Sequence, residues 1–342
     1  MKTKLIKTES AVGMILSHDI TRIEKGVFKG VAFKKGHIIK NEDVPVLLSL
    51  GKNNVYSIAL DQGDVHEEEA GLRLAEALAG ENLDLKGPSE GRVDLIAKRR
   101  GLLKVNKEVI HKINLLDDIV VSTLHDNVVV EGGTTVCGTK VIPLVIGERF
   151  VQEAEKICKD LGPALKVKPF QQHRMAVVIT GREVFEGKVE DAFAPVLTEK
   201  AEYFGVPRPL IDYVPDDAEA IAEAINKAVL QGASIVVVTG GMSVDPDDVT
   251  PTGIKKSGAS MEKYGAPVLP GAMFLVAYRE EVPILGLPAC GMFFDTTVFD
   301  LILPRVLAGE RVTAEEISFL GYGGLCRRCE TCRFPSCSFG KR

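Results

Sequence analysis

The sequence predicts an α/β fold over residues 171–312, a mostly parallel sheet with helices on both faces, preceded by smaller β-rich modules. Three observations carry this. Met175–Thr180 (MAVVIT) and Ser234–Thr239 (SIVVVT) are nearly unbroken apolar runs, the pattern of strands covered on both faces. They alternate with stretches of helical period, as strand–helix–strand units require. The second run ends directly on Gly240-Gly241, a turn signal at the carboxyl end of a strand, where open α/β sheets bind their ligands.

In chain order, Met175–Thr180 is the first strand and Val189–Phe204 the helix after it. Leu210–Val214 is the second strand. Asp216–Gln231 is a helix whose opening acids offset its dipole and whose end is marked by Gly232. Ser234–Thr239 is the third strand, Met273–Ala277 and Ile284–Leu287 are two more, and Cys290–Ala308 reads as one long apolar helix. Upstream, residues 1–63 carry short β-branched runs and a helix at Asp43–Leu50. Asp61–Glu69 is acidic and solvent-facing, Gly71–Ala79 is helical, and Gly80–Glu90 is a polar linker and candidate boundary. Residues 91–150 read mostly as strands, with a hairpin turn at Gly132-Gly133, and Arg149–Leu161 is a helix stopped by Gly162-Pro163. The expected domains are therefore 1–63, 64–170, 171–312 and a tail of 313–342.

Composition bounds the function. The 342 residues suffice for two or three domains, and 45% hydrophobic with 26% charged residues is ordinary for a soluble globular chain. A net charge of −5 argues against a nucleic-acid partner. Met1–Ser10 is polar and basic with no apolar stretch behind it, unlike a secretory leader, and no run reaches the ~18–20 apolar residues of a membrane span. The expectation is a cytoplasmic protein without a membrane partner. The six histidines are dispersed without metal-ligand spacing, and no Walker A, G-x-S-x-G or strand-linked G-x-G-x-x-G is present.

The chemistry concentrates in Gly240-Gly241-Met242-Ser243-Val244-Asp245-Pro246-Asp247-Asp248-Val249-Thr250-Pro251. Two glycines bring backbone N–H groups close to a ligand, and with the Ser243 and Thr250 hydroxyls they suit a phosphate. Asp245, Asp247 and Asp248 would repel that phosphate unless they also held Mg²⁺. A solvated turn with Thr250 as a helix cap is the alternative reading. A second cluster is Cys326, Cys329, Cys332 and Cys337, spaced C-x2-C-x2-C-x4-C. Four soft thiolates in one short stretch suit a [4Fe–4S] cluster, a Zn²⁺ ion or, failing both, reactive thiols.

The loop resembles the signature of the molybdopterin-binding domain. That domain is shared by molybdenum insertases (molybdopterin molybdotransferases), molybdopterin adenylyltransferases and the competence-damage-inducible family. GGMSVDPDD is similar to the insertases' GGVSVGDYD-like loop, and Asp248-Val249-Thr250-Pro251 to the adenylyltransferases' DxTP. Two further stretches agree: VVITGREVFEGKVEDAF resembles STGDEL…G…DSN, and VLPGAMFLVA…VPILGLPAC resembles PGKP…FG…VPVFGLPGNP. The segment KKGHIIKNEDVPVLLSLGKNNVYSI is more weakly similar to the insertase N-terminal region.

The resemblance implies a cofactor site made of Thr180, Gly181, Arg182, Glu183, Asp191, Gly240, Gly241, Met242, Ser243, Asp245, Thr250, Pro270, Gly271 and Pro288, with Asp247 and Asp248 catalytic and holding Mg²⁺. It implies molybdopterin or its adenylylated form as ligand, molybdate as a co-substrate, a homodimer, and work in molybdenum cofactor assembly by metal insertion or nucleotidyl exchange. A non-catalytic carrier, chaperone or sensor serving a client molybdoenzyme is the alternative, and a nucleotide pyrophosphate hydrolase a third. This chain departs from the pattern at four places. Arg182 stands where the family has an acid, Pro246 where it has Asp, Ala272 where it has Lys, and Cys290 where it has Asn. For Asp191 an ordinary helix-capping role competes, for Arg182 a salt bridge to Glu183 or Glu186, and for Cys290 either an activated thiol or a small buried side chain.

Overall fold

Every residue of Met175–Thr180 (β1) is buried, and its side chains divide between two cores. Met175, Val177 and Ile179 enter the first, Ala176 and Val178 the second. This is the period-two division of a strand covered on both faces, seen here in a computed structural model that describes residues 4–24, 28–242 and 248–341. After β1 come α1 (Arg182–Phe185), α2 (Phe193–Tyr203), β2 (Leu210–Val214), α3 (Ala218–Leu230), β3 (Ile235–Thr239) and α4 (Thr250–Lys256). Then follow β4 (Ser260–Tyr264), β5 (Leu275–Arg279), β6 (Val282–Leu287), α5 (Cys290–Phe293), α6 (Val298–Leu307) and α7 (Ala314–Phe319).

The strands form one six-stranded sheet in the order β2-β1-β3-β6-β5-β4. The pairs β2–β1, β1–β3 and β3–β6 are parallel, while β6–β5 and β5–β4 are antiparallel. The sheet is therefore mostly parallel, as expected from the strand–helix alternation. Helix α2 (Phe193, Leu197, Ala201) and α6 (Val298, Phe299, Ile302, Val306) cover the first face. Helix α3 (Ile221, Ala224, Ile225, Ala228) and Ile254 of α4 cover the second. Each of these side chains contributes on the order of 1.5–3 kcal/mol by leaving water, less for alanine.

Helix ends follow local chemistry. The Asp217 side chain accepts from the N–H groups of Glu219 and Ala220 at 3.0 and 2.9 Å, starting α3. Thr297 and Asp300 form a reciprocal capping box that starts α6. That box corrects one expectation: Cys290–Ala308 is two helices, α5 and α6, separated by Phe294–Thr297. The helix after β1 begins at Phe193 rather than Val189, with the short α1 before it. Strand β4 was not anticipated, and helix α4 only as the helix that Thr250 would cap in the alternative reading of the loop.

The chain divides into two units, 1–99 with 104–124 and 130–167, and 100–103 with 125–129 and 168–342. The sheet just described belongs to the second. The first is β-rich. Lys4–Lys7, Asn54–Ile58 and Ile15–Leu16 make a three-stranded sheet, and Ile119–Thr123, Thr135–Val141, Arg92–Ala97 and Leu83–Ser89 a four-stranded one. Helices run over Asp43–Ser49, Glu67–Leu78, Lys107–Asn114 and Glu148–Leu161. Three expectations need correction here. The Gly80–Glu90 linker contains a strand, Leu83–Ser89, paired with Arg92–Ala97. Gly132-Gly133 turns the chain, yet Val128–Val130 joins Gly101–Val105 while Thr135–Val141 joins another sheet, so no hairpin forms. The acidic Asp61–Glu69 stretch is not uniformly solvated, because Val65, His66 and Glu67 are buried.

Candidate functional site

Parallel pairing brings the carboxyl ends of β2, β1, β3 and β6 to one edge: Thr180 pairs with Val214, and Thr239 with Ile179 and with Leu287. The chain enters the sheet at β1, goes to β2 on one side, then returns to β3 on the other. The point between β1 and β3 is thus the topological switch, where the loops diverge and leave a crevice. The two loops that border it are Gly181–Glu183 and Gly240–Met242, two of the stretches singled out in the sequence.

The Gly240 turn is pressed hard against its neighbours. Gly240 has φ 82°, and a Cβ there would lie 2.6 Å from the Thr180 carbonyl oxygen. Gly241 has φ 51°, and a Cβ there would lie 2.7 Å from Thr250 Oγ1. Only glycine combines that backbone with that approach. The Thr180 and Thr250 hydroxyls are 3.4 Å apart and buried, and the Thr250 N–H donates to the Gly241 carbonyl at 3.3 Å. Thr250 is the first residue of α4, so its hydroxyl serves this contact rather than capping the helix.

Beyond the turn, Met242 is buried, and its carbonyl accepts from Tyr264 Oη at 2.7 Å. Burial and then the charge of Asp248 push the Tyr264 phenol up from its ordinary value. Ser243, Asp245 and Asp247 lie outside the described residues.

The third expected element also reaches this edge. Leu275 pairs with Gly286, one residue before the end of β6, so the Pro270-Gly271 turn ahead of β5 sits just past the carboxyl ends. Pro270, Gly271 and Pro288 are all buried. The Pro270 carbonyl accepts from the Val298 N–H at 3.3 Å, fixing the turn to the start of α6.

Other expected residues are placed differently. Asp191 accepts from the N–H groups of Phe193 and Ala194 at 2.8 and 2.9 Å and from Tyr213 Oη at 3.2 Å. It caps α2 beside the edge strand β2, across β1 from the Gly240 turn. Arg182 and Glu183 are exposed at the crevice rim; the Arg182 N–H donates to Asp216 at 2.8 Å, and Glu186 pairs with Lys188 instead of Arg182. Burial pushes the half-buried Cys290 thiol up despite a backbone N–H that lowers it, so the activated-thiol reading is set aside.

Two residues of the edge were missed. Tyr264 lay in a polar strand with no alternation. Thr239 is fully buried, and its hydroxyl has no hydrogen-bond partner among the described residues. Its signal was present as the one polar side chain at the end of an apolar strand, directly before the glycine pair. An unpaired buried hydroxyl costs free energy unless something meets it.

The tail folds back on this unit. Cys326, Phe334, Cys337 and the buried Phe339 pack against the first core, and all four tail cysteines border one small cavity. Among the described residues no three His, Cys, Asp or Glu side chains stand close enough to hold a single ion. Among the same residues no helix is long and apolar enough to cross a membrane.

Residues 176–308 match the family model described as a probable molybdopterin binding domain, and residues 5–59 match a domain of unknown function. A molybdopterin molybdenumtransferase of Staphylococcus epidermidis is 28% identical over 129 residues, 36% of this chain and 30% of that protein. A CinA-like protein of Citrifermentans bemidjiense is 40% identical over 79 residues, 22% of this chain and 18% of that protein. The chain thus spans less than a third of the length of these curated relatives. The crystal structure of the molybdopterin biosynthesis moea protein from Pyrococcus horikosii is similar with 15% identity and a TM-score of 0.33, covering 90% of this chain and 75% of that one.

Proposed function

Residues 176–308 belong to the molybdopterin-binding domain family, and from that premise we propose that the chain binds molybdopterin, free or adenylylated, at the β1/β3 switch point and acts in molybdenum cofactor assembly. The observation that carries the reading is the glycine turn at that switch, pinned through Thr180, Thr250 and Tyr264. A backbone held this way presents its N–H groups without reorganising when an anion arrives.

In this reading Thr180, Gly240, Gly241, Met242, Ser243 and Thr250 hold the phosphate and pterin, with Gly181, Arg182 and Glu183 on the opposite lip. Asp191 caps α2 and supports that lip. Pro270, Gly271 and Pro288 close the floor. Asp247 and Asp248, with Asp245 nearby, would hold Mg²⁺, which supplies charge neutralisation between the phosphate and an incoming anion. The chain's own part would be positioning: the pinned turn would hold the phosphate, and the exposed Arg182 guanidinium would attract an oxyanion such as molybdate. The protein acts as a cytoplasmic homodimer. A second reading, a carrier that delivers cofactor to a client molybdoenzyme without turnover, draws on Ala272 and Pro246, which lack the charge the family has there.

The test is equilibrium binding of purified molybdopterin to the full chain, followed by pterin fluorescence, with Gly241→Val alongside. Saturable binding that the variant weakens at least about tenfold, about 1.4 kcal/mol, supports the site; no binding by the natural chain ends the reading. Turnover with molybdate or a nucleoside triphosphate and Mg²⁺, lost at least about tenfold in Asp248→Asn, assigns an enzyme. Binding without turnover assigns a carrier.

A further inference from the structure

The four tail cysteines lie in a loop that closes on itself. The Gly340 N–H donates to the Gly323 carbonyl at 2.9 Å, tying the two ends together. Phe339, 3% exposed, anchors one end in the first core. The other end is laid against the sheet's edge turn: the Leu269 N–H donates to Gly324 and the Cys326 N–H to Leu269, each at 2.8 Å. Between these anchors Cys326, Cys329, Cys332 and Cys337 surround a cavity of about 90 Å³. Arg327, Arg328 and Arg333 line the same cavity. The Arg328 N–H points at Cys326 Sγ from 3.5 Å, and Thr296 Oγ1 lies 3.3 Å from Cys332 Sγ.

We propose that this loop binds a [4Fe–4S] cluster through Cys326, Cys329, Cys332 and Cys337. Zinc is the competing occupant, and the geometry favours the cluster. A Zn²⁺ ion sits about 2.3 Å from each sulfur, which brings tetrahedral sulfurs to within about 3.8 Å of one another and leaves no space between them. Here all four thiols line the wall of one cavity of about 90 Å³. A polynuclear core fills such a space with its own iron and sulfide. Three cysteines at C-x2-C-x2-C spacing match the run used for cubane clusters. A tetrathiolate cluster is anionic, and three guanidinium groups at the wall offset it. The N–H and O–H groups aimed at Cys326 and Cys332 are the donors that thiolate sulfurs accept from.

Ligation of a preformed [4Fe–4S]²⁺ cluster exchanges its four external thiolate ligands for the four cysteine sulfurs. Each Fe–S bond that forms replaces one that breaks, the departing thiolate takes up the cysteine's proton, and no electron is transferred. None of its four ligands is among the residues assigned to the pterin site, so the metal content of the tail and pterin binding are read separately.

The experiment uses the full chain, purified without oxygen and reconstituted by transfer of a preformed, thiolate-ligated [4Fe–4S]²⁺ cluster. Expected are about four iron and four acid-labile sulfide per chain, and an electron paramagnetic resonance signal on reduction by dithionite. A Cys329→Ser/Cys332→Ser chain that stays folded, with its melting transition retained, is expected to lose that iron. Should the double variant not fold, Thr296→Val serves instead. It keeps all four ligands but removes the donor beside Cys332, and it shifts the cluster's reduction potential to more negative values. One zinc per chain without iron overturns the proposal, as does a folded natural chain that binds neither metal. Iron that persists in the folded double variant overturns it too.

Discussion

Single residues set the sharpest tests. Arg305 is buried inside α6, with Nε 2.9 Å from Glu310 and Nη2 2.5 Å from Glu316. Arg305→Met removes the guanidinium from Glu310, which keeps Lys168 at 3.3 Å, and from the part-exposed Glu316, so a loss of about 1–3 kcal/mol is expected, read from the urea midpoint. A loss under about 1 kcal/mol would show that water already screens the pair. Gly240→Ala meets both a left-handed φ and the Thr180 carbonyl, and it should cost more than about 1 kcal/mol in the same measurement. Residues were also where sequence reading succeeded unevenly. Gly240, Gly241 and Thr250 stood out because their types are informative. Asp191 stood out for the same reason, yet its hydrogen bonds are those of a cap. Tyr264 was invisible because a tyrosine's role depends on which carbonyl its hydroxyl reaches.

At the scale of elements, legibility followed burial. The strands Met175–Thr180 and Ile235–Thr239 are buried throughout, so their apolar runs announced them. The strand Leu83–Ser89 buries only Leu83, and Ser260–Tyr264 buries none of its five residues, so neither carried a hydrophobic pattern. Both lie at sheet edges, where pairing on one side suffices and polar residues are tolerated. The break between α5 and α6 was legible in principle: Thr297-x-x-Asp300 resembles the capping-box pattern, but the surrounding apolar residues outweighed it. Thr297→Ala removes that cap and should destabilise by about 1 kcal/mol, visible as a lowered melting temperature. If melting is unchanged, the cap is dispensable and the hydrogen bond from the Val298 N–H to the Pro270 carbonyl suffices to hold the break.

For the whole molecule, pH dependence follows from acids spread over both units. Burial raises the Asp43 carboxyl, but the His37 ring and the Lys40 N–H outweigh it and hold the group below its usual value. Glu316 is likewise raised by burial and lowered further by Thr313 and Arg305. A depressed acid contributes stability that is present above its unfolded pKa and lost as pH falls through the folded value. Unfolding free energy should therefore fall with acidification below the ordinary carboxylate range of about 4. Glu67 has the opposite sign, because burial pushes it up despite Lys140 and His66. Its charge is a penalty at neutral pH, relieved as pH drops toward the raised value. Glu67→Gln should thus unfold at higher urea than the natural chain at pH 7, and the gap should close on acidification. A gap that widens instead would mean that Lys140 holds the charge more strongly than burial opposes it.

The tie between the tail and Leu269 has a practical consequence for anyone handling this protein. Proteolysis or a shortened clone that ends before Gly323 would remove Phe339 from its apolar slot and strip two backbone hydrogen bonds from the residue preceding Pro270. Such a product would still carry every residue of the Gly240 loop. It would nonetheless lack part of the first core and the support of the Pro270 turn, and any defect in a binding assay would be charged wrongly to the loop. Intact mass should be verified before any affinity is compared.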